Sequence, residues 1–171
     1  MSDITFKPLA TTDLPPLHYW LNTSHVVKWY GKKTFTFDEI EKQYLPRISG
    51  QDPTKSFIIT YQNNPIGYIQ MYLVKDDREL QEYVNADTIA GLDMFIGEPS
   101  YLGRGLGSKI IKEFLKQIVF KQPGISTCIV DPLPTNPRMI HVNEKVGFKY
   151  LITTQGEEPK YLMTIHKEDL Q

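Results

Sequence analysis

The chain has 171 residues, 40 % of them hydrophobic and 23 % charged, with a formal net charge of −1. A chain of this size buries roughly 70 % of the surface it exposes when unfolded, so one domain can form a core without disulfide or metal staples. Lys+Arg 19 against Asp+Glu 20 leaves no basic surplus to hold a nucleic-acid backbone, and the single cysteine, Cys128, excludes an intrachain disulfide.

Ile4-Thr5-Phe6 alternates as a short strand. There is no basic stretch followed by an apolar one at Met1-Ser2-Asp3-Ile4, and no apolar run nears the roughly 18–20 residues of a membrane span. A cytoplasmic location away from membranes is expected. Asp13 precedes Leu14-Pro15-Pro16, which predicts an N-cap with proline in the first turn of a helix through Leu21. Thr36 with Glu39 has capping-box spacing, Ile40, Tyr44 and Leu45 form a helical stripe, and Pro46 is expected to end that helix. Strands Ser56–Tyr61 and Ile66–Val74 flank Gln62-Asn63-Asn64-Pro65, a hairpin turn. Lys75 to Asp87 carries Asp76, Asp77, Glu79, Glu82 and Asp87 and reads as a loop or strand extension at a rim. Ile89–Ile96 is the next strand, and Gly97–Gly105 is turn-rich. From Leu106 to Phe120 the apolar residues Ile110, Ile111, Phe114, Leu115, Ile118 and Val119 follow helical spacing. Cys128–Asp131 ends a short buried strand, Asn136-Pro137 opens a helix that Gly147 closes, and two strands follow around Phe148–Thr154 and Lys160–His166. The order β-α-α-β-β-β-α-β-α-β-β defines an α+β domain with a mostly antiparallel sheet and one β-α-β crossover.

The segment most informative about chemistry is Leu102-Gly103-Arg104-Gly105-Leu106-Gly107-Ser108, where a strand passes through glycines into a helix. Glycines free backbone N–H groups to face a phosphate, and the helix N-terminus adds partial positive charge. A Walker loop would end in Gly-Lys-Ser/Thr, and Ser108-Lys109 has the wrong order. A dinucleotide turn would come early in a parallel chain. A tight strand-to-helix turn with no ligand gives the same spacing, so the glycines alone leave both readings open.

The same residues resemble the coenzyme-A pyrophosphate loop of the GNAT acetyltransferase superfamily, with Leu102 where that family has Gln or Arg. Asn136 and Asn143-Glu144-Lys145-Val146-Gly147-Phe148 resemble its second signature. Trp20-Leu21-Asn22, Trp29-Tyr30-Gly31, Gln43-Tyr44-Leu45-Pro46, Pro65-Ile66-Gly67-Tyr68, Gly91-Leu92-Asp93 and Asp131-Pro132 look like the aminoglycoside 6′-N-acetyltransferases. Siderophore-pathway N-acyltransferases share Asp-Pro and the Trp-rich start. The resemblance implies one GNAT domain over residues 1–171, with a mixed central sheet flanked by helices. It implies acetyl-CoA as co-substrate, held by Phe95, Ile96, Leu102, Gly103, Arg104, Gly105, Leu106, Gly107, Ser108 and Asn136, and a small cationic amine as acceptor.

Acetyl transfer to an amine requires a neutral amine, a polarised thioester and a protonated thiol leaving group. An alkylammonium with a pKa of about 10.4 needs a carboxylate to help remove its proton. Asp93 is the candidate base and substrate ligand, and Asp131, at the end of the next strand, is a second ligand or a plain Asp-Pro turn starter. A backbone N–H near Phe95 is implied by the resemblance to hold the thioester oxygen. Asn143 stands where these enzymes usually carry a tyrosine acid; an amide can donate to a thiolate but supplies no ionisable proton. Asn143→Tyr is therefore expected to leave activity intact or raise it. Asp87 and Glu157 are candidate acidic walls or solvated surface acids, and Trp29 and Tyr30 either line a pocket or pack in the core. His18, His25, His141 and His166 show no metal-ligand spacing, so no metal is expected. Acylation of another small amine or of a protein N-terminus, or a coenzyme-A-binding regulator without turnover, are the alternatives.

Overall fold

The computed structural model describes residues 3–84 and 86–170. Met1 and Ser2 of the N-terminal stretch, and Asn85 of the acid-rich stretch, lie outside the described residues. The architecture is mixed α+β, with seven strands among the described residues, most of them paired antiparallel; the four longer helices follow the order read from the sequence, and two short ones, Ser24–Val26 and Arg78–Gln81, are additional. The chain divides into two compact units, Met1–Met71 with Asp93–Arg104 and Tyr72–Leu92 with Gly105–Gln171.

In the first unit, β1 (Ile4–Pro8) runs antiparallel to β2 (Lys55–Tyr61), and β2 antiparallel to β3 (Asn64–Leu73). The β2–β3 turn needs only Gln62 and Asn63, both left-handed with φ 49° and 65°, which suits the twist of the flanking strands. The second half of β4 (Ile89–Ile96) lies close to β3: a Cβ on Gly67 would fall 2.2 Å from the Phe95 carbonyl oxygen. Only glycine admits that approach.

Helix α1 (Leu14–Leu21) buries Leu14, Leu17, Trp20 and Leu21. The expected Asp13 cap is corrected: the Asp13 side chain does not cap α1, and a 3-10 turn, Thr11–Asp13, precedes the helix. The Asp13 carboxylate turns back to accept from the Ala10 N–H at 2.9 Å and to pair with Lys7 at 2.9 Å. After α2 (Ser24–Val26) the backbone widens into a π turn, Val27–Gly31, closed by Lys32 N–H donating to the Val27 carbonyl at 2.8 Å. Helix α3 (Phe37–Ser49) has the expected Thr36–Glu39 box, but it continues through Pro46 to Gly50. A proline in the last turn removes one donor near an end where the helix stops anyway, so the loss is tolerated. Tyr44, Tyr68, Ile40, Ile58, Trp20 and Phe95 share one core.

In the second unit, the first half of β4 pairs parallel with β5 (Thr127–Val130), from Ile89↔Thr127 to Gly91↔Ile129. Helix α5 (Leu106–Gln117) makes the crossover and buries Leu106, Ile110, Ile111, Phe114 and Leu115, the face its spacing predicts. It packs on α6 (Pro137–Val146). Strand β7 (Tyr161–His166) runs antiparallel to both β5 and β6 (Lys149–Thr153). The acid-rich stretch is a further correction. It folds as a 3-10 turn Val74–Asp76, helix α4 (Arg78–Gln81) and a turn Ala86–Thr88. Asp77 caps α4 by accepting from the Glu79 and Leu80 N–H groups at 3.0 and 3.2 Å. Two apolar anchors, Val74 and Leu80, are buried with Ile89, Ile129 and Leu162, and the polar composition around them hid the signal.

Burial lifts Tyr30 and Tyr44 well above the ordinary tyrosine value and lifts Tyr68 to about 12. A tyrosine with a raised folded-state pKa contributes stability below its unfolded value that is lost as pH rises through the folded value. Unfolding free energy from denaturant titration is therefore expected to fall steadily from about pH 10. Tyr68→Phe should flatten that fall, and an unchanged slope would contradict the assignment.

Candidate active site

Asp93 sits mid-way along β4, where a carboxylate beside Leu92 and Met94 is costly without partners. The first unit supplies them. Gln70 on β3 donates through Nε2 to Asp93 Oδ2 at 2.8 Å. Gln70 Oε1 accepts from Arg47 Nη1 at 2.6 Å and from Tyr68 Oη at 2.8 Å. Arg47 Nη1 also reaches Tyr68 Oη at 3.2 Å, and Ser56 Oγ meets that phenol at 2.6 Å. Arg47, Tyr68 and Gln70 were not singled out from sequence. The available signal was the two-residue spacing of Tyr68 and Gln70, which puts both on one face of β3.

Tyr30 packs edge-on to Phe95 at 4.8 Å between centroids, joining the core of this unit. Trp29, its neighbour on the π turn, is 36 % exposed, with Lys28 Nζ 4.7 Å from its ring centre. The segment is pinned from both sides: the His25 ring Nε2 meets the Ile96 carbonyl at 2.9 Å, and Asn22 bonds both the N–H and the carbonyl of Phe35. Trp20 donates its indole N–H to Glu98 at 2.8 Å, holding the start of the turn-rich segment.

Within that segment Gly103 and Gly105 have φ 74° and 70°, and a Cβ on either would meet no protein atom within 4 Å. Backbone alternating through the left-handed region directs successive N–H groups to one side, a concavity suited to an anion, and α5 begins at Leu106. The loop therefore fits a pyrophosphate. Gly107 serves packing instead, since its Cβ would sit 3.2 Å from Val142 on α6. Arg104 lies over the Tyr101 ring at 5.1 Å.

In the second unit Asp131 follows β5 and pairs with Lys160 at 3.2 Å, while Lys160 also pairs with Glu79 at 3.1 Å. Burial lifts the Asp131 carboxyl and the Lys160 ammonium opposes that lift. Lys160 itself is pulled down by burial, but Asp131 and Glu79 outweigh this and hold it above its usual value. Lys160 was not singled out from sequence. Asp87 and Glu157 are exposed. Asn136 caps α6, its side-chain oxygen accepting from the Met139 N–H at 3.2 Å. Asn143, on α6, is 0 % exposed, and neither its Oδ1 nor its Nδ2 has a hydrogen-bond partner among the described residues. Among the described residues no three His, Cys, Asp or Glu side chains are grouped to hold a metal, and no helix is long and apolar enough to cross a membrane.

A glycine-rich turn into an amphipathic helix, in a mixed sheet that also carries a mid-strand carboxylate, defines an acetyltransferase of the GNAT class. The acetyltransferase (GNAT) domain profile matches residues 10–155, and the chain belongs to that family. The aminoglycoside N(6′)-acetyltransferase type 1 of Klebsiella pneumoniae is 33 % identical over 150 residues, covering 85 % of this chain and 74 % of the relative. The structure of AAC(6′)-Ib in complex with ribostamycin and coenzyme A superposes with a TM-score of 0.89 at 30 % identity, covering 99 % of this chain and 96 % of the other. That of the same aminoglycoside acetyltransferase with coenzyme A and kanamycin gives 0.87 at 29 % identity, covering 97 % and 96 %.

The burial of Asn143 revises the expectation for Asn143→Tyr, because a larger ring in a filled site costs about 1–3 kcal/mol of overpacking. Asn143→Leu instead removes two unpartnered polar groups. It should raise the melting temperature of the free protein by roughly 2–4 °C for about 1 kcal/mol. An unchanged or lower melting temperature in scanning calorimetry would show that the amide is satisfied in solution.

Proposed function

We propose that this chain transfers the acetyl group of acetyl-coenzyme A to the 6′-amine of an aminoglycoside, and that residues 1–171 act as one catalytic domain in the cytoplasm. The observation that carries the chemistry is Asp93, a half-buried mid-strand carboxylate whose Oδ2 is held by the neutral amide of Gln70. Acetyl-coenzyme A supplies the acetyl group activated as a thioester. The backbone of Leu102–Ser108 holds its pyrophosphate, with Asn136 and the Ile96 backbone beside it. The amine nitrogen bonds the carbonyl carbon, the carbon–sulfur bond breaks, and the products are an amide and a free thiol. Asp93 accepts the proton that the amine loses. The Phe95 N–H holds the carbonyl oxygen as charge builds on it. Asn143 Nδ2 donates to the leaving sulfur, and solvent supplies the proton that makes it a thiol. Trp29, Tyr30, Asp87, Asp131 and Glu157 serve the cationic acceptor by contact or by charge. The aminoglycosides named with the AAC(6′)-Ib relatives, ribostamycin and kanamycin, support this choice of acceptor.

One observation favours a second reading. A linear alkylammonium, that of Lys160, already fits between Asp131 and Glu79, so a polyamine or lysine-type amine also suits this acid pair. Thiol release from acetyl-coenzyme A with kanamycin, ribostamycin, spermidine and N-hydroxylysine decides between them. Turnover with the aminoglycosides and little with the others is expected. Turnover confined to spermidine or hydroxylysine would replace the aminoglycoside reading.

Asp93→Asn should lower turnover by roughly ten- to hundredfold. Gly105→Asp puts a negative charge in the loop and a side chain on a left-handed backbone, so calorimetry should show coenzyme-A affinity lost by roughly tenfold or more with the fold kept. Unchanged affinity would remove the loop from the site.

A further inference from the structure

Asp93 is reached by an amide whose orientation is itself imposed. A glutamine amide offers an acceptor on one side and donors on the other, and nothing in its shape prefers either. Here Arg47 Nη1 and Tyr68 Oη converge on Gln70 Oε1 at 2.6 and 2.8 Å, and an oxygen that receives a guanidinium cannot be exchanged for an NH₂. The donor end is left facing Asp93 Oδ2 at 2.8 Å. Gln70 is 8 % exposed and has little room to turn. Arg47 is fixed in turn by Asp52 at 3.4 Å and lies 5.0 Å from the Tyr44 ring centre, and Asp52 is held by the Thr54 N–H at 2.8 Å.

We infer that Arg47 and Gln70 are positioning residues for acetyl transfer, acting through Asp93 by holding its carboxylate in one orientation. The inference rests on the reading of Asp93 as proton acceptor. A carboxylate turns easily about its last torsion, and a charge-assisted hydrogen bond at 2.8 Å stops that motion. The hydrogen bond also favours the ionised form, which is the form that can receive a proton. The titratable groups that feel the Asp93 charge in this unit include Tyr30, Tyr44 and Tyr68, and Arg47 is linked to it through Gln70.

The test uses the full chain, acetyl-coenzyme A and kanamycin, the last replaced by whichever amine the panel finds to be turned over. Gln70→Leu and Arg47→Met are each expected to lower kcat by roughly tenfold, to leave the KM for acetyl-coenzyme A unchanged, and to move the acid limb of the kcat profile to higher pH. Arg47→Lys should restore part of the loss. Adding Gln70→Leu to Asp93→Asn should cost nothing beyond Asp93→Asn alone, since both act at one group. Losses that are equal at every pH and multiply with that of Asp93→Asn would overturn the positioning role while leaving Asp93 as base. Full turnover in Asp93→Asn would overturn the reading of Asp93, and the inference with it. If Arg47→Met fails to fold by circular dichroism, Gln70→Leu, of similar volume, carries the same test.

Discussion

A carboxylate in the middle of a strand has to be answered by hydrogen bonds, and much of the first unit is arranged around answering Asp93. The strand cannot supply the partner from its own neighbours, Leu92 and Met94, because successive side chains point to opposite faces. The answer comes from β3, where Gly67 lets the two strands approach and Tyr68 and Gln70 share one face. It is completed from α3, which delivers Arg47 because the helix continues past Pro46. Had the helix stopped at the proline, the guanidinium would have no fixed path to Gln70.

Two of the acids meet different kinds of partner. The Asp93 carboxylate accepts from the neutral amide of Gln70. Asp131 is met by Lys160, which balances it locally and shares itself with Glu79. An ammonium seeking Asp131 must first displace one that is tethered to the same chain, and tethering raises its effective concentration. Carboxylates of similar appearance in the sequence therefore meet different partners, and the difference is set by residues far from them in the chain.

The elements with strong local codes were legible in the sequence. The Thr36–Glu39 box, the Gln62-Asn63 turn, the limits of β4, the buried face of α5 and the Asn136 and Gly147 ends of α6 all follow from neighbours within a few residues. Asp93 was legible for a related reason: a lone acid among apolar strand residues conflicts with its setting. What could not be read was any partner distant in the chain. Arg47 lies 23 residues from Gln70, and Gln70 lies 23 from Asp93. The acid-rich stretch misled for a different reason, since Val74 and Leu80 anchor it and charged residues outnumber them. Two residues that carried the family resemblance, Trp20 and Asn22, hold one segment of the chain against another. Similarity of such residues speaks for the fold first and for the chemistry only through the fold.

Asn143 brings fold and chemistry into conflict. A buried amide with no partner for either end among the described residues costs stability, and a leucine of similar size would fill the space at no such cost. Helix α6 does not need the amide: its N-terminus is capped by Asn136 and its C-terminus closes on Gly147 with φ 114°. Neither terminal contact uses the Asn143 side chain, so the helix gives no structural reason to keep it. An expense of that kind fits a group that must be dry and unpaired until a ligand arrives. A donor without a competing partner binds a sulfur more strongly than one that must first give up another bond. In the reaction proposed above, an amide in place of a phenol changes how the leaving group is treated. An amide can stabilise the thiolate but cannot protonate it, which leaves the proton to solvent and makes the departure of the thiol a separate event from the stabilisation of its charge.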